Sequence, residues 1–327
     1  MGLPTRVVLG YRKRVARVGD RIGEYRIVGE RTRAATFSTF EAVHVVLPRR
    51  ALIKIMSSTV QRVAVRALRE AYFLETFEHV GIPRIFESAL LPDRRPWFAR
   101  EMIEGQNLTS VIGQASTDRI ELISLLRDTA DVLVHVHKHG LVHTGLRPER
   151  ILLTAKTRPF SVCIPDWSEA RAHDAPGVPY VPLAGSWHYA APELVSGEAI
   201  DDRADVFSLG VIGYQLLTNT LPFDRGAIAM REAAGHHVPT EVRCPDAPRE
   251  LTAMIDQMLS FDRWDRPTSG EVRADLTWLL ESLASSMLRI RKPRWTPEVT
   301  FASVSAVDDY DQLAVEPPTD DDSHHQD

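Results

Sequence analysis

The hydrophobic period of this 327-residue chain changes once, near Glu104-Gly105, and that change fixes the fold class. Before it, Tyr25-Arg26-Ile27-Val28, Phe37 to Val46, Arg49 to Met56 and Pro96-Trp97-Phe98-Ala99 read as strands. Lys54 is the only charge inside the third of these. One stretch among them keeps helical spacing: Ser57-Ser58 supplies a cap, and Val60, Val63, Leu68, Ala71 and Leu74 form an apolar stripe around Glu70, ending near Phe77. After Gly105 the spacing is helical. A helix is expected from about Asp118 to His139, closed by Gly140. Leu251, Met254, Ile255, Met258 and Leu259 mark another, and Val272, Leu276, Leu279, Leu280, Leu283 and Met287 a last one. The expected class is α+β, with a small strand-rich part at 18–103 and a larger helical part at 104–291.

The ends differ from the body. Residues 1–17 form a basic arm containing Arg12-Lys13-Arg14 and Arg17, read as a solvated segment, with a docking role as the alternative. Residues 292–327 mix Pro, Asp, Ser and Thr without periodicity, so an acidic disordered tail is expected. From Trp295 onward there are nine Asp or Glu and no Lys or Arg, so the net charge of −5 becomes +4 without the tail. Scattered arginines on a weakly basic body do not make a nucleic-acid stripe. No apolar run reaches the roughly 20 residues that span a bilayer. With no signal-peptide core at the start, the expectation is a cytoplasmic chain. The two cysteines, Cys163 and Cys244, have no metal-ligand spacing and read as packing residues. His135, His137, His139 and His143 read as a helix end and a structural loop rather than a metal site.

Several motifs occur in a fixed order. Leu141-Val142-His143-Thr144-Gly145-Leu146-Arg147-Pro148-Glu149-Arg150 is followed by Asp166-Trp167-Ser168, Ala191-Pro192-Glu193, Asp205 to Gly210, and Asp262-Arg263-Trp264-Asp265-Arg266-Pro267. In order and spacing, Val18 to Ile290 resembles a bacterial-type Ser/Thr protein kinase. The resemblance implies a two-lobed fold. It implies a buried Glu193–Arg266 pair, an Asp205 that holds the backbone of the loop, and a structural His143. It places Lys54 against the α- and β-phosphates of ATP, Glu70 as the residue that orients it, and Asp166 as a metal ligand. Arg100, Glu101 and Met102 fall at the strand leading into the interlobe hinge, with Arg100 behind the adenine pocket.

The same resemblance exposes departures. The phosphate loop needs three glycines so that backbone amides approach phosphate, and those positions hold Thr32, Ala34 and Phe37. Gly145 stands at the catalytic base position, whose loss removes a factor of about 10² to 10⁴, or roughly 3 to 5 kcal/mol. Arg147 replaces the phosphate-contacting Lys, and Thr144 the Arg that in many relatives reads a phosphorylated activation segment. Ser186 and Trp187 likewise interrupt the substrate-docking piece after Gly185. Arg150 replaces the second metal ligand. About 4 Å from Asp166, at an effective dielectric near 20, it would gain about 4 kcal/mol of attraction. Lys54, Arg100 and Arg150 against Glu70 and Asp166 leave the cleft one positive charge in excess.

The expectation is a pseudokinase without a working catalytic set that binds a protein partner, such as an active kinase or its substrate. No nucleic acid and no membrane span are expected. The alternative is a weak or atypical Ser/Thr kinase using Lys54, Glu70 and Asp166. No cofactor is expected under the first reading, Mg·ATP under the alternative, and metal-free ATP as a structural ligand under a third.

Overall fold

The computed structural model describes residues 16–57, 61–114, 118–154, 158, 160–173, 186–223 and 236–290. The basic arm up to residue 15, Ser58, Val60, the Val63 side chain, Gly185 and the acidic tail lie outside the described residues.

The first part is an antiparallel sheet of six strands: β1 (Arg21–Ile22), β2 (Tyr25–Arg33), β3 (Phe37–His44), β4 (Arg50–Met56), β5 (Ile85–Leu90) and β6 (Pro96–Glu101). Their spatial order is β1-β2-β3-β4-β6-β5, so β4 sits inside the sheet. Alternation in β2 and β3 buries Tyr25, Ile27, Phe40 and Ala42, which join Ile53, Ile55 and Trp97 in a cluster on one face. Helix α1 (Gln61–Thr76) covers the other face with Ala71, Phe73 and Leu74. Leu68, expected in its apolar stripe, is instead exposed. The reason is angular: at about 100° per residue Leu68 lies on the side of the helix opposite the buried Glu70, Phe73 and Leu74.

Two strands escape the hydrophobic pattern. β1 is only two residues long, and β5 is an edge strand whose Glu87 and Ser88 break the apolar run. β3 ends at His44 rather than Val46, because His44 Nδ1 accepts from the N–H of both Val46 and Leu47 and turns the chain.

The second part begins with β7 (Gly105–Asn107), which joins β9 (Leu152–Thr154) and β10 (Val162–Cys163) in a small sheet. β8 (Leu141–Val142) pairs with β11 (Arg171–Ala172). Around them lie α2 (Arg119–Lys138), α3 (Pro192–Ser196), α4 (Arg203–Thr218), α5 (Thr240–Arg243), α6 (Arg249–Met258) and α7 (Ser269–Ile290). Asp118 caps α2 by accepting from Ile120 N–H, and Gly140, at φ +69°, follows its end. α4 is buried almost throughout. Together these elements form a strand-rich small lobe and a helical large lobe. Among the described residues no helix is long and apolar enough to cross a membrane.

One ion pair braces the large lobe. Arg266 Nη1 and Nη2 donate to Glu193 Oε1 and Oε2 at 2.7 and 3.0 Å, and both side chains are buried. The remaining guanidinium hydrogens go to the carbonyls of Ser260, Arg203 and Phe261, and the group lies over the Phe207 ring. Removing one partner leaves a buried charge with no counterion. Arg266→Met should therefore lose about 3–5 kcal/mol, lowering the melting temperature by on the order of 10 °C. The double variant Glu193→Gln/Arg266→Met should melt above Arg266→Met alone in a calorimetric scan; a lower melting point would contradict this account of the pair.

Candidate functional site

Lys54 is placed by pairings on both sides of β4, Thr39 opposite it on β3 and Phe98 on β6. Its Nζ donates to both oxygens of Glu70, at 2.9 and 2.7 Å, and lies 3.9 Å from Asp166 Oδ1. Lys54 and Glu70 are both buried. Burial lifts the Glu70 carboxyl above its ordinary value, against the downward pull of Lys54. Phe37, at the start of β3, sets its ring over the ammonium, with 4.6 Å from Nζ to the ring centroid. Thr32 pairs with Thr39, and the turn closes through Ala34 N–H on Phe37 O at 2.9 Å. The three side chains at this turn therefore share one hairpin end, with the largest folded down onto the lysine.

The loop after β8 hangs from one carboxylate. Asp205, fully buried in the first turn of α4, accepts from the backbone N–H of His143 at 2.7 Å and of Thr144 at 2.8 Å. It also pairs with His137 Nε2 at 2.9 Å, while His137 Nδ1 meets Ser269 Oγ at 2.8 Å. Burial acts to raise the Asp205 carboxyl, but the hydrogen bonds from His137 and the His143 backbone hold it below its ordinary value. Thr144 takes a left-handed backbone, φ +56°, uncommon for a β-branched residue, and its hydroxyl donates to Glu169 O at 2.7 Å. His143 Nδ1 accepts from Gly145 N–H at 3.2 Å. Burial brings the His143 imidazole down to about 4, so the ring is neutral at physiological pH.

Arg150, in the short helical turn Pro148–Arg150, is 5% exposed in its side chain and reaches two carboxylates. Its Nη2 is bonded to Glu169 Oε1, and its Nε lies 3.2 Å from Asp166 Oδ2. Nη1 donates to Gly145 O at 3.2 Å. Gly145 has no side chain where the guanidinium passes: a Cβ there would overlap Arg150 Nη1 and come within 2.9 Å of Glu169 Oε2. Arg147 lies 3.8 Å from Glu169 Oε1, the oxygen bonded to Arg150, and 3.6 Å from Glu149. Burial works to raise the Asp166 carboxyl, yet Lys54, Arg150 and the Ser168 N–H together hold it far below the usual carboxylate range. Trp167 points inward, its Nε1 donating to Ile164 O at 2.8 Å and its ring packed on Phe77 and His143.

The structure thus brings Lys54, Glu70, Asp166, Gly145 and Arg150 into one cluster. It adds to the expected set Glu169, a buried carboxylate bonded to Arg150 and 3.8 Å from Arg147. Glu169 had no role in the motif pattern. The one signal for it was physical: an arginine forced into a buried loop position needs a carboxylate nearby. Arg100, expected to find Glu70 or Asp166 or to point outward, feels the charge of both carboxylates without a direct ion pair to either among the described residues. It is partly buried, and Nη1 lies 3.5 Å from Glu101 O, with no ion pair to it among the described residues. Burial lowers its guanidinium from the ordinary value, while Cys163, Glu70, Asp166 and Glu101 act the other way. Glu101 is taken by Arg158 at 2.9 Å, and Met102 follows it, partly buried, at the end of β6. The four histidines do not converge: His137 serves Asp205, and His143 the loop core, while His135 and His139 stack near Phe77.

Comparison with known proteins agrees with this architecture. The protein kinase domain model matches residues 35–278. The chain is similar to the serine/threonine-protein kinase Pkn1 of Myxococcus xanthus, 31% identical over 74% of this chain and 35% of that protein. It is also similar to the serine/threonine-protein kinase PknJ of Mycobacterium tuberculosis, 28% identical over 68% of this chain and 40% of that protein. With pkn2 of Myxococcus xanthus, identity is 25% over 84% of this chain and 35% of that protein. The chain spans between a third and two fifths of the length of these relatives.

Two outcomes follow from the geometry. Arg150→Asn and Glu169→Gln should each lose about 3–5 kcal/mol in urea unfolding, because each strands a buried charge. The double variant should lose clearly less than the sum; strict additivity would show that the pair is not coupled. The second outcome concerns pH. The unfolded chain protonates His143 near 6.5, whereas the folded chain resists until about 4, so falling pH favours unfolding across that window. Between those limits wild type should lose about 3 kcal/mol more than His143→Asn, and parallel stability curves would contradict it.

Proposed function

The chain belongs to the protein kinase family, and we propose that it acts within that family as a pseudokinase, a folded domain that regulates or scaffolds by binding a protein partner. The observation that carries this reading is Arg150, held at once by Glu169 and Asp166 beside Gly145. Phosphoryl transfer in this family relies on a carboxylate to take the hydroxyl proton and on divalent ions to neutralise the phosphates. Here the base position is a glycine whose missing side-chain volume is filled by a guanidinium.

The donor set does not suit magnesium. Mg²⁺ takes oxygen ligands at about 2.1 Å in near-octahedral geometry. Asp166 offers its two oxygens to Arg150 at 3.2 Å and Lys54 at 3.9 Å, so an incoming ion would meet two fixed cations around one carboxylate. At the turn where phosphates would be covered, the Phe37 ring occupies the approach to Lys54. Placement in the cytoplasm belongs to the same proposal, supported by the free thiols of Cys163 and Cys244. A protein partner, such as an active kinase or its substrate, suits a domain of this family better than nucleic acid.

A second reading has its own support. The Lys54–Glu70 pair is formed and Asp166 faces it, the arrangement an active enzyme of the family assembles. On that reading the chain is a weak, atypical Ser/Thr kinase that uses ATP.

A thermal-shift titration separates the readings. With Mg·ATP the pseudokinase reading expects no change in melting temperature, and a rise of several degrees would count heavily against it. A rise with ATP plus EDTA that adenosine does not reproduce would assign metal-free nucleotide as a structural ligand. Radiolabel incorporation from ATP that disappears in both Lys54→Ala and Asp166→Ala would establish the second reading instead.

A further inference from the structure

A cavity of about 450 Å³ opens at the end of α1, away from the Lys54–Asp166 cluster. Its floor is apolar, from Leu74, Phe77, Ile82 and Ile85. Its rim carries charge unevenly. Glu101 and Arg158 neutralise each other at 2.9 Å, and Arg158 also donates to Val80 O. Glu75 and Glu78, on the α1 side, are exposed and have no ion pair among the described residues, with Arg84 exposed on the opposite rim. An apolar floor beside two open carboxylates calls for a segment that presents aliphatic side chains next to cations.

We propose that the cavity is the docking site of the chain's own N-terminal segment, residues 1–15. That segment carries Arg6, Arg12, Lys13 and Arg14 with no acid, and Leu3, Val7, Val8, Leu9 and Tyr11 supply the apolar groups. Its attachment point, Ala16, lies on the sheet face away from α1, so the segment has to pass the β5 edge to reach the cavity. Ala16 is buried in the cluster on which Phe86 also packs, and Phe86 follows Ile85, one of the floor residues. β5, which carries both, is the edge strand of the sheet, so a segment leaving Ala16 has an open side to pass around. Extended, the chain reaches about 17 Å from Ala16 back to Tyr11 and about 45 Å back to Leu3. Occupation bears on the central cluster through one residue: Phe77 forms part of the floor and packs at a tilt against Trp167, 5.4 Å between centroids, the residue after Asp166. This inference does not depend on which reading of the cleft is right: the two carboxylates it invokes, Glu75 and Glu78, lie outside the Lys54–Asp166 cluster, and only Glu101 on the rim is shared with the hinge.

The test uses the full chain with a benzophenone photo-crosslinker in place of Tyr11, with products mapped by mass spectrometry. Intrachain products on residues 74–85 are expected, falling several-fold in Glu75→Lys/Glu78→Lys and falling with added salt. Both glutamates are exposed, so the variant should keep its melting temperature. Combining it with Arg12→Glu/Lys13→Glu/Arg14→Glu should bring the products back. Products confined to other surfaces or to a second copy, or a yield indifferent to charge reversal, would overturn the proposal.

Discussion

A guanidinium buried in the loop after β8 dictates the composition of everything around it. Arg150 has lost almost all contact with water, and a charge in that state needs opposite charge and hydrogen-bond acceptors close by. Glu169 and Asp166 supply the charge, and the Gly145 carbonyl supplies an acceptor. Space is the second requirement, met by the absence of a side chain at Gly145. The third is rigidity. Asp205 fixes the backbone of His143 and Thr144, and the Thr144 hydroxyl ties the loop to Glu169 through its carbonyl. Glycine, arginine and glutamate at these three positions form one solution; changing any single member leaves a clash or an unpaired charge.

The upper half of the cluster follows a similar logic on a different scaffold. Lys54 is held in the middle of a sheet and shared among Glu70, Asp166 and the Phe37 ring. Asp166 joins the halves, between an ammonium and a guanidinium, and its acidity records both. The lobe frame meets this cluster only in part. Glu193–Arg266 braces the large lobe away from the cluster, whereas the Asp205–His137–Ser269 chain links the lobe frame to the loop that carries Gly145.

Much of this was legible in the sequence. Strong periodicity located α2 to within a residue at each end and marked the apolar positions of α6 and α7, and Lys54 stood out as the one charge inside an apolar strand. Ordered motifs brought Glu193 to Arg266 and Asp205 to the loop. What escaped had weak local signals. β5 is a polar edge strand paired only through β6, so its residues did not alternate cleanly. Glu169 sits one residue past a recognisable triplet, and its importance comes from a partner 19 residues away. Arg100 illustrates the converse: its position was clear, but its surroundings depend on how β6 meets β10 and the hinge, which no spacing rule encodes.

The central claim is that internal arginine occupies the place where this family gathers metal. A crystal structure grown with magnesium and a non-hydrolysable ATP analogue tests it most directly. The account predicts Arg150 still bound to Glu169 and Asp166, with no ion coordinated by Asp166. Octahedral density about 2.1 Å from an Asp166 oxygen, with Arg150 swung away and triphosphate ordered above it, would contradict it.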